Sequence, residues 1–132
     1  MTGLATQVVK GRTEKEAVAE IAGTLLASHA YSLMAHWKTG SFAKHKALND
    51  FYDDIVDLAD KLVESAQGQY GKLEVPFVQL KGDVSDPISV LTSQMEAVRS
   101  MCESCEEEYI ESIVQEIEVL FRSTIYKLKE LS

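Results

Sequence analysis

A chain of 132 residues is long enough for one domain with a real core and too short for two. A formal charge of −8 argues against a polyanion partner held by bulk electrostatics, since phosphate binding needs clustered Lys and Arg. With 45% apolar residues, two prolines and seven glycines, the composition suits an all-helical domain. No apolar run approaches the roughly eighteen residues of a membrane span. The opening MTGLATQVVKGRTEKE has no sustained apolar core of the kind a signal peptide needs. The expected compartment is the cytoplasm, where both cysteines would stay reduced.

Taken in order, residues 1–12 read as a flexible N-terminal arm and residues 13–132 as one domain. The leading segment offers only Lys10, Arg12 and Lys15, without interleaved aromatics, so direct DNA binding is not expected. Thr13 and Glu16 fit a capping box and start the first helix. Val18, Ala22, Leu25, His29, Leu33 and His36 follow with three- and four-residue spacing. His29 reads as a core or interface histidine with a hydrogen-bond partner. Lys38 to Ser41 form a turn, with Ser41 or Thr39 as the next N-cap. The second helix is expected to run to about Ala66, with Gly68 and Gly71 ending it.

Residues 67–85 break the helical period. Val75, Phe77, Val78 and Leu80 around Pro76 suggest an extended segment lying on the helices, with a short two-stranded element as the rival. Its length can span a bundle end to end, as in bundles with a single long crossover. Asp86-Pro87 is a helix start, with Asp as N-cap and Pro at the first helical position. Ile88, Leu91, Met95, Val98 and Cys102 carry the third stripe, which ends near Met101 to Glu103. Ser104 and Glu107 are candidate caps for a fourth helix, whose stripe runs from Ile110 to Leu128. Cys102-Glu103-Ser104-Cys105 lacks the second ligand pair of a structural zinc site and the strand-then-helix setting of a thioredoxin motif. It reads as two small apolar residues near a helix junction.

The stretch His36 to Glu64 carries the most chemistry. It holds two of the three histidines, the single tryptophan and a dense run of carboxylates. On a helical wheel with His45 at zero, Asn49, Asp60, Asp53 and Glu64 fall at about 40°, 60°, 80° and 100°, flanking the apolar stripe. Asp50, Asp54 and Asp57 fit an ordinary solvated face. Asp60 and Glu64, four residues apart, can share one ion. His45 lies about 22 Å away along a straight helix axis, so one ion cannot be reached from both ends of one copy. A hairpin at the turn brings His36 back near His45. An antiparallel two-fold dimer would then carry the histidines of one chain to the carboxylates of the other, twice. Trp37 is most simply a core or interface anchor.

His36, Trp37, Gly40, Phe42, His45, Asp60 and Glu64 together resemble the signature of the miniferritins, the Dps-type members of the ferritin-like superfamily. The spacing of the second His, the Asp and the Glu is the same. The resemblance is strong over about thirty residues and one of pattern elsewhere. It implies an all-α, ferritin-like four-helix bundle with one long crossover between helices 2 and 3. It further implies assembly through two-fold dimers into a closed homo-oligomeric shell, a dodecamer. His36, His45, Asp60 and Glu64 would be both the metal ligands and the catalytic residues of a ferroxidase site, which oxidises Fe(II) with peroxide or oxygen and stores the mineral. Iron is the implied metal, with zinc as the alternative. Three departures stand out: a turn about two residues shorter, Asn49 in place of another Asp, and Lys44 in place of an apolar residue. The first two motivate an alternative, a Dps-like structural or interaction shell with weakened or lost ferroxidase activity. A four-helix adaptor with an acidic binding face is a third reading.

Overall fold

The computed structural model describes residues 12–131, and within them the chain is all-helical. The expected arm over residues 1–12 lies outside the described residues except for Arg12, which is paired with Glu20 at 2.9 Å. Helix α1 spans Glu14–Lys38, α2 Phe42–Tyr70, α3 Pro87–Met101 and α4 Glu108–Glu130, with a 3₁₀ turn at Cys102–Ser104.

Local signals start most of these helices. The Thr13 hydroxyl accepts from the Glu16 N–H while the Glu16 carboxylate accepts from the Thr13 N–H, the two halves of a capping box. Ser41 caps α2 through the Lys44 N–H, and Asp86 caps α3 through the Ser89 N–H with Pro87 behind it. The end of α2 differs from expectation. The helix continues through Gly68 to Tyr70 and stops at Gly71, whose φ of 81° takes it out of the helical region. Gly68 is solvent-exposed, with open space around it, so it costs helix propensity without breaking the turn.

Helix α1 packs on α2 and α3, and α4 packs on the same two, which makes a four-membered ring. Tyr70 at the end of α2 bonds to Glu14 at the start of α1, so these two helices are antiparallel. Thr24 on α1 donates to the Met101 sulfur at 3.8 Å, which places the end of α3 toward the start of α1. A cleft of about 220 Å³ lined by Lys38, Thr39, Lys44, Pro87 and Leu128 gathers the opposite helix ends.

The core is one cluster, centred on Phe51 of α2 and Phe121 of α4, whose rings meet edge to face at 5.1 Å. Helix α1 is buried on more of its circumference than one apolar stripe would predict. Ala17, Ala19, Ala22, Gly23, Ala27, Ser28, Ser32 and Ala35 are all covered. Small side chains permit that enclosure, because residues 71–86 lie along α1 as well. A Cβ at Gly23 would sit 2.6 Å from the Pro76 carbonyl oxygen, closer than any side chain allows. Further along, the Tyr31 hydroxyl donates to the Asp83 carbonyl at 2.5 Å. Inside the α1–α3 contact, the Ser28 hydroxyl lies 3.1 Å from the Thr24 carbonyl and 2.8 Å from the Gln94 side-chain amide, so its burial leaves no polar atom unpaired. Trp37 is not a core residue in the single chain: it is 69% exposed, and Phe42 across the turn is 79% exposed. The core positions of the last α1 turn are taken by Ala35 and His36, which turns Trp37 outward.

Candidate functional site

Two groups of reactive side chains lie at opposite ends of the bundle. The first is built on the α1–α2 turn. His36, in the last turn of α1, is buried, while His45, in the first turns of α2, is exposed. Their rings stack at a centroid distance of 3.6 Å, 27° from parallel. His36 Nδ1 lies 2.9 Å from the His45 carbonyl oxygen, and His45 Nδ1 lies 3.1 Å from the His36 carbonyl oxygen. A carbonyl can only accept, so both Nδ1 atoms carry hydrogen. The His36 carbonyl is one that the end of α1 leaves without a helical donor, so His45 serves as a cap.

This tautomer has a chemical consequence. In each neutral ring the Nε2 lone pair remains free, the state in which imidazole binds a metal with its other nitrogen held by a carbonyl. Neither Nε2 has a hydrogen-bond partner among the described residues. No described polar side-chain atom is both fully buried and unpartnered, so the His36 Nε2 reaches the surface.

Tyr52 of α2 organises the surroundings. Its ring meets His36 edge-on at 5.2 Å and His29 at 5.8 Å, and its hydroxyl donates to Asn49 at 2.6 Å. His29 donates from Nδ1 to the Tyr52 carbonyl at 2.9 Å, a half-buried histidine with a hydrogen-bonded partner.

Asp60 and Glu64 stand elsewhere, exposed on the second half of α2. Asp60 borders a groove of about 360 Å³ lined also by Ala22, Leu26, Val56, Val63 and Val75. The chain therefore brings His36 and His45 together and keeps them apart from Asp60 and Glu64, as the axial spacing requires. Among the described residues no three His, Cys, Asp or Glu side chains gather at one metal position. Asp50 is paired with Lys46 on the solvated face.

Between the two pairs runs an outward strip of α1. Leu26, Ala30, Leu33 and Trp37 fall within about 60° on the helical wheel, and His29 and His36 both lie along one side of them. Leu26 is 50% exposed and Trp37 69%. The strip begins in the groove beside Asp60 and ends at the histidine turn.

The second group sits at the other end and was not evident from local sequence. Glu14, a buried carboxylate at the start of α1, accepts from the Glu106 N–H at 2.5 Å and the Glu107 N–H at 2.8 Å. It thereby anchors the two residues that lead into α4, whose N-cap residue Glu107 makes no side-chain cap; the expected cap from Ser104 or Glu107 is absent. The Tyr70 hydroxyl donates to the other Glu14 oxygen. That bond to the carboxylate, then burial and the nearby acids, pushes the Tyr70 phenol well above its usual range. Beside this latch lie the free thiols of Cys102, half-buried, and Cys105, buried. No local signal could have revealed the latch, because Glu14 and its backbone donors are separated by 92 and 93 residues.

Among the described residues no helix is long and apolar enough to cross a membrane. Comparison with known proteins adds the following. No solved structure matches the chain. The "Uncharacterized 14.6 kDa protein in mobD-ri intergenic region" of Enterobacteria phage T4 is 37% identical over 59 residues, 45% of this chain and 46% of that protein. The chain thus spans less than half the length of this relative in the matched region. The family model described as DUF5856, a family of unknown function, matches residues 36–128. That match opens at His36 and takes in the histidine pair, both carboxylates, the cysteines and most of α4, and the chain belongs to the DUF5856 family.

Proposed function

We propose that this chain is a Dps-like iron-binding protein and ferroxidase whose metal positions are shared across a two-fold dimer interface. The observation that carries the reading is the stacked His36–His45 pair, each ring tied at Nδ1 to a carbonyl and open at Nε2. Imidazole with carboxylate is a donor set that suits Fe(II). The carboxylates would come from the partner copy, in an antiparallel pairing along the Leu26–Trp37 strip, which has the histidines at one end and Asp60 at the other. The connection lying along α1 supports a ferritin-like crossover, and a closed shell of about a dozen chains follows from the same resemblance.

In this reading Fe(II) is substrate and supplies the electrons that peroxide or oxygen takes up. The protein's share is placement. His36 and His45 hold their lone pairs in one orientation because both rings are fixed by the backbone. Asp60 and Glu64, one helical turn apart, offer negative charge to one or two cations. Trp37 and Phe42 would exclude water once covered.

A second reading keeps the shell and loses rapid oxidation. It is favoured by Asn49, which supplies no charge and already accepts from Tyr52.

The test is native mass measured together with Fe(II) oxidation under air. A shell that oxidises iron faster than buffer supports the first reading, and a shell without turnover supports the second. A monomer without iron uptake removes both. Changing Asp60 and Glu64 to Ala should abolish uptake while the helical signal persists; retained uptake would sink the ligand assignment.

A further inference from the structure

The iron reading leaves the Cys102–Cys105 pair unused, although Cys105 belongs to the core cluster and Cys102 packs against it. Its geometry is that of a closable dithiol. Cys102–Ser104 form a single 3₁₀ turn, closed by the Cys105 N–H donating to the Cys102 carbonyl at 2.9 Å. In such a turn residues three apart are eclipsed, and three rises of about 2.0 Å set their Cα atoms about 6 Å apart. A disulfide accepts Cα separations of about 4.4–6.8 Å, so the Cα spacing of the turn is compatible with the bond. The thiols also differ in access, since Cys102 is half-buried and Cys105 is 7% exposed. The interaction between the two thiols lowers the Cys102 thiol and, together with burial, raises that of Cys105.

We propose that Cys102 and Cys105 form a redox-active dithiol that reduces a small neutral hydroperoxide, with Cys102 attacking and Cys105 resolving. The Cys102 thiolate attacks one peroxide oxygen and the O–O bond breaks. The sulfur becomes a sulfenic acid, and the departing hydroxide takes a proton to leave as water. Cys105 sulfur then attacks the Cys102 sulfur. Its thiol proton and the sulfenic hydroxyl leave as a second water, and the disulfide closes. Two thiols and one hydrogen peroxide thus give one disulfide and two waters.

The surroundings select the oxidant. Glu103, Glu106, Glu107, Glu108 and Glu111 crowd the turn, and the sequence holds no Lys or Arg between Arg99 and Arg122. That field repels an anionic disulfide such as oxidised glutathione and leaves an uncharged peroxide unaffected.

The experiment treats the reduced full-length protein with stoichiometric hydrogen peroxide, alkylates it and measures intact mass. The expected product has lost two hydrogens and both alkylatable thiols, runs as a single chain under denaturing conditions and is restored by dithiothreitol. Oxidised glutathione at the same concentration should react about tenfold more slowly, with the gap narrowing as salt screens the acids. Cys105→Ser should stop at a sulfenic acid on Cys102 that dimedone traps. Cys102→Ser should leave Cys105 alkylatable after peroxide and release of the fold. Two intact thiols after peroxide, cross-links between chains in place of the internal bond, or equal rates with glutathione would overturn the proposal. So would a Cys105 in folded Cys102→Ser that reacts as fast as Cys102.

Discussion

The two ends of the bundle meet the same problem in opposite ways. A helix terminus leaves backbone groups without partners, and here distant or neighbouring side chains supply them. At the Glu14 end one carboxylate takes two backbone N–H groups of the α4 start and the Tyr70 hydroxyl, so both its oxygens are occupied. At the histidine end, His36 and His45 each spend one nitrogen on a carbonyl and keep the other open. The first end is saturated and holds the fold together. The second is half-saturated, and its spare valence is what makes it a candidate for chemistry. A buried polar group reads as architecture when every atom is paired, and as a site when a fixed atom is left over.

This contrast can be broken by substitution. Glu14→Ala should have the largest effect, because it strands two backbone donors and a phenol at once. Charge-assisted hydrogen bonds contribute about 1.5–3 kcal/mol each and are not additive, so a loss of about 3 kcal/mol is expected in urea unfolding. A change below about 1 kcal/mol would show that the Glu106 and Glu107 N–H groups find another acceptor. His45→Ala removes a single cap from the His36 carbonyl and should cost only about 1 kcal/mol, while iron uptake falls much further. Equal losses at the two ends would erase the distinction.

A pH titration sharpens it again. Burial, together with the charges of Asp86 and Asp83, pushes the Tyr31 phenol up to about 12. The unfolded phenol titrates near 10, so between pH 10 and 12 the unfolded chain has released a proton that the folded chain still holds. Stability from this group is complete below pH 10 and is lost as pH rises through about 12. Tyr31→Phe should flatten that part of the stability profile, measured by denaturant midpoints. The smallest effect is a gain. Gly68→Ala meets open space in an exposed helical turn and should stabilise α2 by about 0.5–1 kcal/mol without touching either end.

Much of the fold was legible because it is written locally. The Thr13–Glu16 box, the Ser41 cap and Asp86-Pro87 each act within four residues, and all three appear where periodicity and cap chemistry placed them. The separation of His45 from Asp60 and Glu64 followed from helix rise alone. What escaped depends on tertiary neighbours. Gly68 looked like a stop, but a single exposed glycine is too weak a breaker in a 29-residue helix. Trp37 read as a core or interface anchor, and the core half of that reading fails because Trp37 lies one residue past the covered position. The reciprocal bonding of His36 and His45 needs two backbones in register, and the Glu14 latch joins the start of the domain to α4. Neither leaves a mark in residue type or period.

The enclosure of Gly23 by Pro76 has a practical corollary for anyone cutting the molecule. Residues 76–83 are exposed and carry few hydrogen bonds, so a protease should nick there first. A cut between α2 and α3 leaves two helical hairpins. These still meet through α1 with α3 and α2 with α4, and the Glu14 carboxylate on one piece still grips the backbone of the other. The protein is thus laid out as two complementary fragments, with the covalent link lying on the outside of an already interlocked pair. That is the layout from which split reporters are made.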